Sequence, residues 1–272
     1  MSHAFYRLRE ESLTHCTRPF KARGSIVKRC EKCHLALFAC LCPWQLTRDS
    51  DIHFTLIVHR KELYKTTNTG RLIADLLPRS TSAYLWSRTE PDPKLLKEIT
   101  NPFRRTVLLF PEDQTSIAEI QVTNSTQKDH LESAATNKNS TKDTTKEKRP
   151  LTVILLDGTW KQASRMANLS MWLQNIERLS IDQAQLNTPV DTEQQQEYRY
   201  IRKAPLKHQL STAQAAACIL RQYKDNDNAA LLEHYFSVFN QHCIATRRNI
   251  KPNISDAHQA LTAAKNRSTQ GK

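Results

Sequence analysis

One segment of the sequence, residues 151–160 (LTVILLDGTW), constrains the fold more than any other. Its first six residues are apolar or β-branched, which is typical of a strand buried on both faces of a parallel sheet. The Asp-Gly-Thr-Trp turn that follows leads into a helical pattern over residues 161–174. A buried strand that passes through a tight turn into a helix predicts an α/β fold.

Strand and helix patterns alternate along much of the remaining chain. The predicted strands are residues 52–58, 83–86 and 106–110, and the predicted helices are residues 71–77, 93–99, 212–223 and 229–246. We therefore expect one α/β domain over residues 51–250. Residues 121–150 are rich in Thr, Asn, Lys, Ser and Glu and almost free of apolar side chains, so we expect a flexible insertion there.

The two ends of the chain show no comparable pattern. Residues 1–50 form a basic N-terminal segment that includes a dense cysteine cluster, and residues 251–272 are expected to be a tail that frays from Arg247. The sequence has no run of 18 apolar residues and no apolar segment near its start. We therefore expect neither a membrane span nor a secretory signal, and a cytoplasmic protein.

The net charge of +13 is distributed over the segments that are expected to fold. It is +5 over residues 1–50, +4 over residues 51–110, −1 over residues 111–150 and +5 over residues 151–272. Distributed Lys and Arg side chains are typical of a surface that binds nucleic acid, because they displace the counterions of its phosphates. A basic composition that serves solubility alone is the alternative.

The cysteine cluster has the spacing Cys30-x2-Cys33-x6-Cys40-x-Cys42. A C-x-x-C turn and a C-x-C pair supply the four thiolates that tetrahedral structural Zn²⁺ prefers, so we predict a zinc module. The alternatives are reduced surface thiols, an iron–sulfur cluster, or replacement of one ligand by Cys16 or His34. Cys218 and Cys243 lie on the apolar faces of predicted helices, and we expect them to be core residues.

Asp157 is the first candidate for chemistry. It ends a buried strand just before a helix, which is where open α/β sheets bind their ligands. The alternative is a structural role, in which Asp157 or Thr159 caps the helix.

Asp157 also belongs to a segment, residues 154–166 (ILLDGTWKQASRM), that closely resembles the D-x-T-W signature of the DTW-domain family. Further blocks match this family in the expected order. They are R-C-x-x-C with C-x-C over residues 29–42, H-x-x-E at 59–62, T-N-T-G-R at 67–71, LLFP at 108–111 and S-T-x-Q-A at 211–215. The family commonly has Glu where this chain has Gln214, so we give Gln214 a capping role and no catalytic one.

The resemblance implies a tRNA-uridine aminocarboxypropyltransferase with a SPOUT-like knotted α/β domain. Such an enzyme moves the 3-amino-3-carboxypropyl group of S-adenosylmethionine to N3 of a tRNA uridine and releases methylthioadenosine. The compact chain favours the bacterial type, whose members act on a variable-loop uridine. The alternatives are a SPOUT-type RNA methyltransferase that uses the same cofactor, and a zinc-containing RNA-binding protein without catalysis.

The resemblance and the positions of residues in the predicted elements together suggest a site. Asp157 is the catalytic candidate, either as the general base for the N3 proton or as the group that binds the amino group of the cofactor. The other cofactor-binding candidates are Phe110, Pro111, Thr159, Trp160, Ser211 and Thr212. Trp160 and Thr159 have equally plausible structural roles, as a core residue and a helix cap.

The candidates for binding the substrate or RNA form two groups. Asn68, Thr69 and Arg71 lie at a helix start that could bind a phosphate or the substrate carboxylate, and helix capping is the alternative for Asn68. Arg199, Arg202 and Lys203 lie in a basic loop with interleaved aromatic residues, which we expect to contact the RNA backbone, and a solvated face is the alternative.

Overall fold

The computed structural model describes residues 3–15, 27–110, 149–181 and 210–270, with side chains described up to residue 267. The strands are β1 (His53–Val58), β2 (Thr81–Leu85), β3 (Arg105–Leu109), β4 (Leu151–Asp157) and β5 (Glu177–Leu179). The first helices are α1 (Ala4–Thr14), α2 (Arg60–Leu63), α3 (Gly70–Leu76), α4 (Pro93–Ile99) and α5 (Trp160–Leu169). The last are α6 (Thr212–Gln222), α7 (Asn226–Arg248) and α8 (Asp256–Gln270).

The five strands form one parallel sheet with the order β2-β1-β4-β3-β5. β1 and β4 are central neighbours, and their register places Val58 opposite Asp157. Because all the strands point the same way, their carboxyl ends lie at one edge of the sheet. β4 is buried at six of its seven positions, which explains its nearly continuous apolar sequence.

Helices cover both faces of the sheet. On one face, Phe54, Leu56 and Val58 of β1 pack in a large core with α1, α3, α6, α7 and α8. On the other face, Ile57 and Ile154 pack with side chains of α4 and α5 in a second core. The α/β prediction is therefore confirmed. Side chains alternate between the two faces of the sheet along the strands, so they pack in two separate cores.

The predicted elements between residues 52 and 110 are all present, and their ends agree within about two residues. The helix predicted over residues 161–174 ends earlier, at Leu169, because Ser170 takes an extended conformation and a short 3₁₀ turn follows. The short strand β5 and the single-turn helix α2 are too brief to show a period in the sequence.

One helix at the start of the chain was not indicated by the sequence, and one prediction about the C-terminal end is wrong. The sequence shows little periodicity near its start, yet α1 packs Phe5 into the larger core with only 1% of its surface exposed. The C-terminal tail does not fray from Arg247, because α7 continues to Arg248 and α8 follows. Ala257, Leu261 and Ala264 recur at helical spacing on one face of α8 and are buried in the same core.

The cysteine segment is attached to this core. Leu35, Leu41 and Leu46 belong to the larger core with the strand residues of β1 and β4. No helix in the described ranges combines the length and the apolar character that crossing a membrane requires.

Candidate active site

The site lies at the carboxyl ends of β1 and β4. After β1 the chain turns toward the face that carries α3, whereas after β4 it turns toward the opposite face, which carries α5. Two adjacent parallel strands with connections on opposite faces leave a crevice between them, and open α/β sheets bind ligands there. Asp157 ends β4 at this crevice, and its backbone carbonyl accepts a 2.9 Å hydrogen bond from the backbone N–H of His59.

The Asp157 carboxylate is buried and held by two donors from distant parts of the chain. Only 3% of the residue is exposed. The side-chain amide of Asn68 donates to Oδ2 at 2.5 Å, and the hydroxyl of Thr212, the first residue of α6, donates to Oδ1 at 2.7 Å. Each oxygen of the carboxylate thus accepts a hydrogen bond that favours its anionic form and fixes its plane.

Gly70 is the third residue that contacts this carboxylate closely. A Cβ placed on Gly70 would lie 2.9 Å from both Cγ and Oδ2 of Asp157 and 3.2 Å from Oδ1. Real Cβ atoms essentially never make contacts as short as 2.9 Å, so the first residue of α3 must lack a side chain for Asp157 to keep its position. The glycine of the T-N-T-G block therefore makes room for the aspartate of the D-x-T-W block.

Asn68 links the carboxylate to the start of α3. Its Oδ1 accepts a 3.1 Å hydrogen bond from the backbone N–H of Arg71, while its amide group donates to Asp157. Asn68 is fully buried and Thr69 is 3% exposed. The capping role that the sequence allowed for Asn68 is thus present together with the contact to Asp157, and neither residue offers an open surface for RNA.

Arg71 does not fit the predicted contact with RNA. Its side chain is 2% exposed, and its Nη1 donates to the backbone carbonyl of Cys33 at 2.6 Å. The guanidinium also lies over the ring of Phe239, 5.0 Å from its centroid. Because the group is buried between α3, α7 and the cysteine segment, it ties these parts together and does not reach solvent.

Thr159 and Ser211 both act as helix caps. The Thr159 hydroxyl accepts from the N–H of Gln162, and the side chain of Gln162 accepts from the N–H of Thr159, which completes a capping box. Ser211 and Gln214 form the same box at the start of α6. The capping role expected for Gln214 is confirmed, and the box sets the direction from which Thr212 reaches Asp157.

The other predicted cofactor residues are placed differently. Trp160 is half-buried at the first position of α5, beside the crevice. Phe110 is only 4% exposed and packs in the core beneath α4 and α5, so its ring does not line an open pocket as the sequence predicted. Pro111, Arg199, Arg202 and Lys203 lie outside the described residues.

The four clustered cysteines have the geometry of a metal site. The Sγ atoms of Cys30, Cys33, Cys40 and Cys42 all lie within 4.8 Å of one another. The Cys30–Cys42 pair is separated by 3.7 Å and the Cys33–Cys40 pair by 3.8 Å. A regular tetrahedron with Zn–S bonds of about 2.3 Å has edges of about 3.8 Å, so the donors fit such an ion. These residues could therefore hold a metal.

The backbone around these cysteines supports the same conclusion. The backbone N–H of His34 donates to the carbonyl of Cys30 at 2.8 Å, and that of Leu41 donates to the Sγ of Cys33 at 3.4 Å. Burial acts to raise the pKa of Cys30, but the backbone N–H groups of Cys33 and Lys32 lower it to about 7. Burial raises the pKa of Cys40 to about 11, which a bound cation would reverse. Cys218 and Cys243 are buried in the core as predicted.

Sequence reasoning missed the roles of His59, Gly70 and Trp86. His59 follows β1 and Trp86 follows β2, so the carboxyl ends of these parallel strands bring both rings to the crevice. Their rings are stacked, with centroids 5.9 Å apart and planes inclined by 20°. The available signal was their position at or directly after the end of a predicted strand, the same signal that identified Asp157.

Comparison with models of known protein families identifies the family of this chain. The family model of the DTW domain matches residues 27–244, which include the cysteine cluster, Asn68, Gly70, Asp157 and Thr212. No solved structure matches the chain. The match covers well over half of the sequence and includes the residues that meet at the crevice. The chain therefore belongs to the DTW-domain family.

Proposed function

We propose that this protein transfers the 3-amino-3-carboxypropyl group of S-adenosylmethionine to N3 of a uridine in tRNA. The DTW-domain family is associated with tRNA modification by transferases, and its members have RNA substrates. The proposal goes beyond this association in naming the cofactor, the transferred group and the uridine atom that accepts it. It includes a SPOUT-like knotted topology and the variable-loop uridine that the sequence suggested.

The observation that carries the proposal is the Asp157 carboxylate, buried in the crevice and held by Asn68 and Thr212. Each of its oxygens already accepts a hydrogen bond, which makes it a poor acceptor for a substrate proton. A fixed, buried anion is instead well suited to bind a cationic group. We therefore assign Asp157 to the α-ammonium group of the methionyl moiety, as a positioning anchor that presents Cγ to the uridine.

The reaction requires little more than alignment. The N3–Cγ bond forms while the Cγ–S bond breaks, the bonding electrons neutralise the sulfonium, and methylthioadenosine leaves as a neutral thioether. The N3 proton passes to solvent or to a base. Holding the two reactants in line removes a large part of the activation free energy, because the entropy of alignment has already been lost on binding. Anchoring the amino group of the cofactor selects Cγ over the methyl carbon for this alignment.

The cysteine cluster has a structural part in this proposal. Thiolate ligands at these distances favour Zn²⁺, which would be held by Cys30, Cys33, Cys40 and Cys42 and would cross-link their segment. Arg71 then connects that segment to α3 through the carbonyl of Cys33, and α3 begins beside Asn68 and Asp157. The metal would thus stabilise the wall of the crevice without contacting the reactants.

The experiment that tests the function uses purified protein, unmodified tRNA and S-adenosylmethionine labelled in its carboxyl carbon. Label that becomes attached to the RNA supports the proposal. A methyltransferase leaves that carbon in S-adenosylhomocysteine, and a binding protein transfers nothing, so unlabelled RNA would contradict the proposal. A parallel reaction with methyl-labelled cofactor separates these two alternatives.

A further inference from the structure

His59 and Trp86 form a rigid aromatic feature at the crevice that the proposed transfer does not use. The backbone N–H of His59 donates to the carbonyl of Asp157 at 2.9 Å, and that of Trp86 donates to the carbonyl of Val58 at 2.9 Å. Both residues are therefore fixed at the carboxyl edge of the sheet, in the immediate surroundings of the proposed reaction site. Their rings stack on each other at a centroid distance of 5.9 Å.

The two rings are held in different ways. The indole N–H of Trp86 donates to the buried hydroxyl of Ser170 at 3.0 Å, and the ring packs against the core beneath α4 and α5. The imidazole of His59 is half-buried, and its Nδ1 accepts from the backbone N–H of Lys61 at 3.2 Å. Trp86 is thus the inner layer of the pair, and His59 lies over it as the outer layer.

The surroundings of this ring pair are strongly basic. Arg60, Lys61 and Lys65 are exposed on and just after α2, and Lys161 and Arg165 are exposed on α5. Lys65 also pairs with the buried Glu62 at 2.6 Å. Burial lowers the pKa of His59, and the charges of Lys61, Lys65 and Arg165 lower it further against the opposing effect of Glu62. These cations therefore lie within electrostatic reach of an imidazole that is neutral at neutral pH.

A neutral ring surrounded by cations is the combination that recognises an unpaired nucleotide. Proteins bind single-stranded RNA by stacking its bases on aromatic side chains and by placing Lys and Arg against its phosphates. The Nδ1 of His59 is occupied by its hydrogen bond to Lys61, so Nε2 carries the proton of the neutral ring. His59 in this state offers a face for stacking and has no lone pair left to act as a base.

We propose that the His59–Trp86 pair is a stacking platform for an unpaired base of the RNA substrate, with Lys61 and Arg165 contacting the adjacent phosphates. This inference rests on the proposed function only in taking RNA as the substrate. It places the RNA on the same edge of the sheet as Asp157, with the platform next to the site of transfer. It assigns His59 and Trp86 to binding and gives them no part in the chemical step.

Two substitutions of His59 separate the ring from its helix-capping role. His59→Asn keeps a side-chain acceptor for the N–H of Lys61 but removes the ring. His59→Phe keeps a ring that can stack but removes the acceptor. Trp86→Leu removes the inner layer and keeps an apolar side chain against the core. The measurement is the Kd of an unmodified tRNA transcript without cofactor by fluorescence anisotropy, and the Kd of S-adenosylmethionine by calorimetry.

We expect His59→Asn and Trp86→Leu to weaken tRNA binding by roughly 5- to 100-fold, the usual effect of losing one stacked base. His59→Phe should bind tRNA within about threefold of the wild type. All three variants should keep the wild-type affinity for the cofactor. Lys61→Ala and Arg165→Ala should each reduce the salt dependence of tRNA binding by about one phosphate contact, whereas His59→Asn should leave that slope unchanged.

Wild-type tRNA affinity in His59→Asn would overturn the platform. A loss of cofactor affinity with unchanged tRNA affinity would also overturn it, because the rings would then bind the adenine of the cofactor. A wild-type protein that binds no tRNA would overturn it as well. The outcome is separable from that of the proposed function. If the variants lose tRNA affinity as expected but the wild type transfers no labelled aminocarboxypropyl group, only the proposed reaction is contradicted. If the wild type transfers the group but His59→Asn keeps full tRNA affinity, only the platform is contradicted.

Discussion

Replacing Gly70 by alanine should test whether the position of the Asp157 carboxylate matters for activity. The added Cβ would lie 2.9 Å from Cγ and Oδ2 of Asp157. Ordinary van der Waals contacts to a Cβ begin at 3.4 Å, so one of the two groups must move by about 0.5 Å. Gly70 is the first residue of α3 and its backbone is fixed by the helix, which leaves the carboxylate as the group that moves away from Asn68 and Thr212.

The size of the effect follows from this displacement. A misplacement of about 1 Å in a site that works by alignment can cost a factor of about 100 in rate, so we expect about 0.5 Å to cost a factor of about 10. This corresponds to about 1.4 kcal/mol in the activation free energy. Overpacking costs about 1–3 kcal/mol and the lower entropy of the unfolded chain returns up to about 1 kcal/mol, so we expect a net destabilisation of about 0–3 kcal/mol.

The assay is kcat/KM for transfer to tRNA, together with Tm as a check on folding. Gly158→Ala is the matched control, because outside its two chain neighbours the added Cβ would first meet Gln162, at 3.0 Å from its Cβ, in the capping box of α5. We expect the control to keep kcat/KM within about threefold of the wild type. A folded Gly70→Ala protein with wild-type kcat/KM, or an equal loss in both variants, would refute the reasoning.

Three further perturbations test other parts of the structure. Removing metal with a chelator should lower both Tm and the affinity for S-adenosylmethionine, because Arg71 is tied to Cys33 and α3 begins at the crevice; an unchanged affinity after metal loss would contradict this link. Leu261→Ala should lower the free energy of unfolding by about 2–5 kcal/mol in urea, since Leu261 is fully buried; an effect under 1 kcal/mol would mean that α8 is not packed. Burial lowers the pKa of His258 to about 4 and also lowers that of its partner His242, 3.1 Å away, so both are neutral in the folded protein. His258 takes up a proton near pH 6.5 in the unfolded chain but only near pH 4 in the folded protein, so its contribution to stability is full above pH 6.5 and is lost as the pH drops through this window. Thermal unfolding of the wild type and His258→Gln at pH 7 and pH 5 measures this effect, and an equal pH dependence in the two proteins would argue against it.

The sequence was sufficient for the elements that carry a strong periodic signal. β1 and β4 are mostly β-branched and apolar, and they were predicted to within two residues because their burial on both faces leaves few polar positions. α1 and α8 were missed because they carry few core residues, with Phe5 and Leu261 as the largest, in helices that are otherwise mostly polar. Their helical state depends on packing against the large core, which a local pattern does not report.

The same distinction applies to the site. Asp157 and the cysteine ligand set follow from local context, the end of a strand in one case and the spacing of thiolates in the other. The hydrogen bonds from Asn68 and Thr212 join positions 89 and 55 residues away in sequence, so only the folded chain brings them together. Arg71 was predicted to bind a phosphate or the substrate carboxylate because it lies at a helix start, whereas here tertiary packing buries it against Cys33 and Phe239.

The central claim is that a fixed Asp157 carboxylate directs transfer of the aminocarboxypropyl group to tRNA. The most direct measurement identifies the small-molecule and nucleoside products of the wild type and of Asp157→Asn by mass spectrometry. The wild type should release one methylthioadenosine for each modified uridine. The asparagine variant should be folded and at least about 30-fold slower, because removing one charge of a buried pair costs about 2–5 kcal/mol. S-adenosylhomocysteine as the product, or turnover by Asp157→Asn within threefold of the wild type, would contradict the claim.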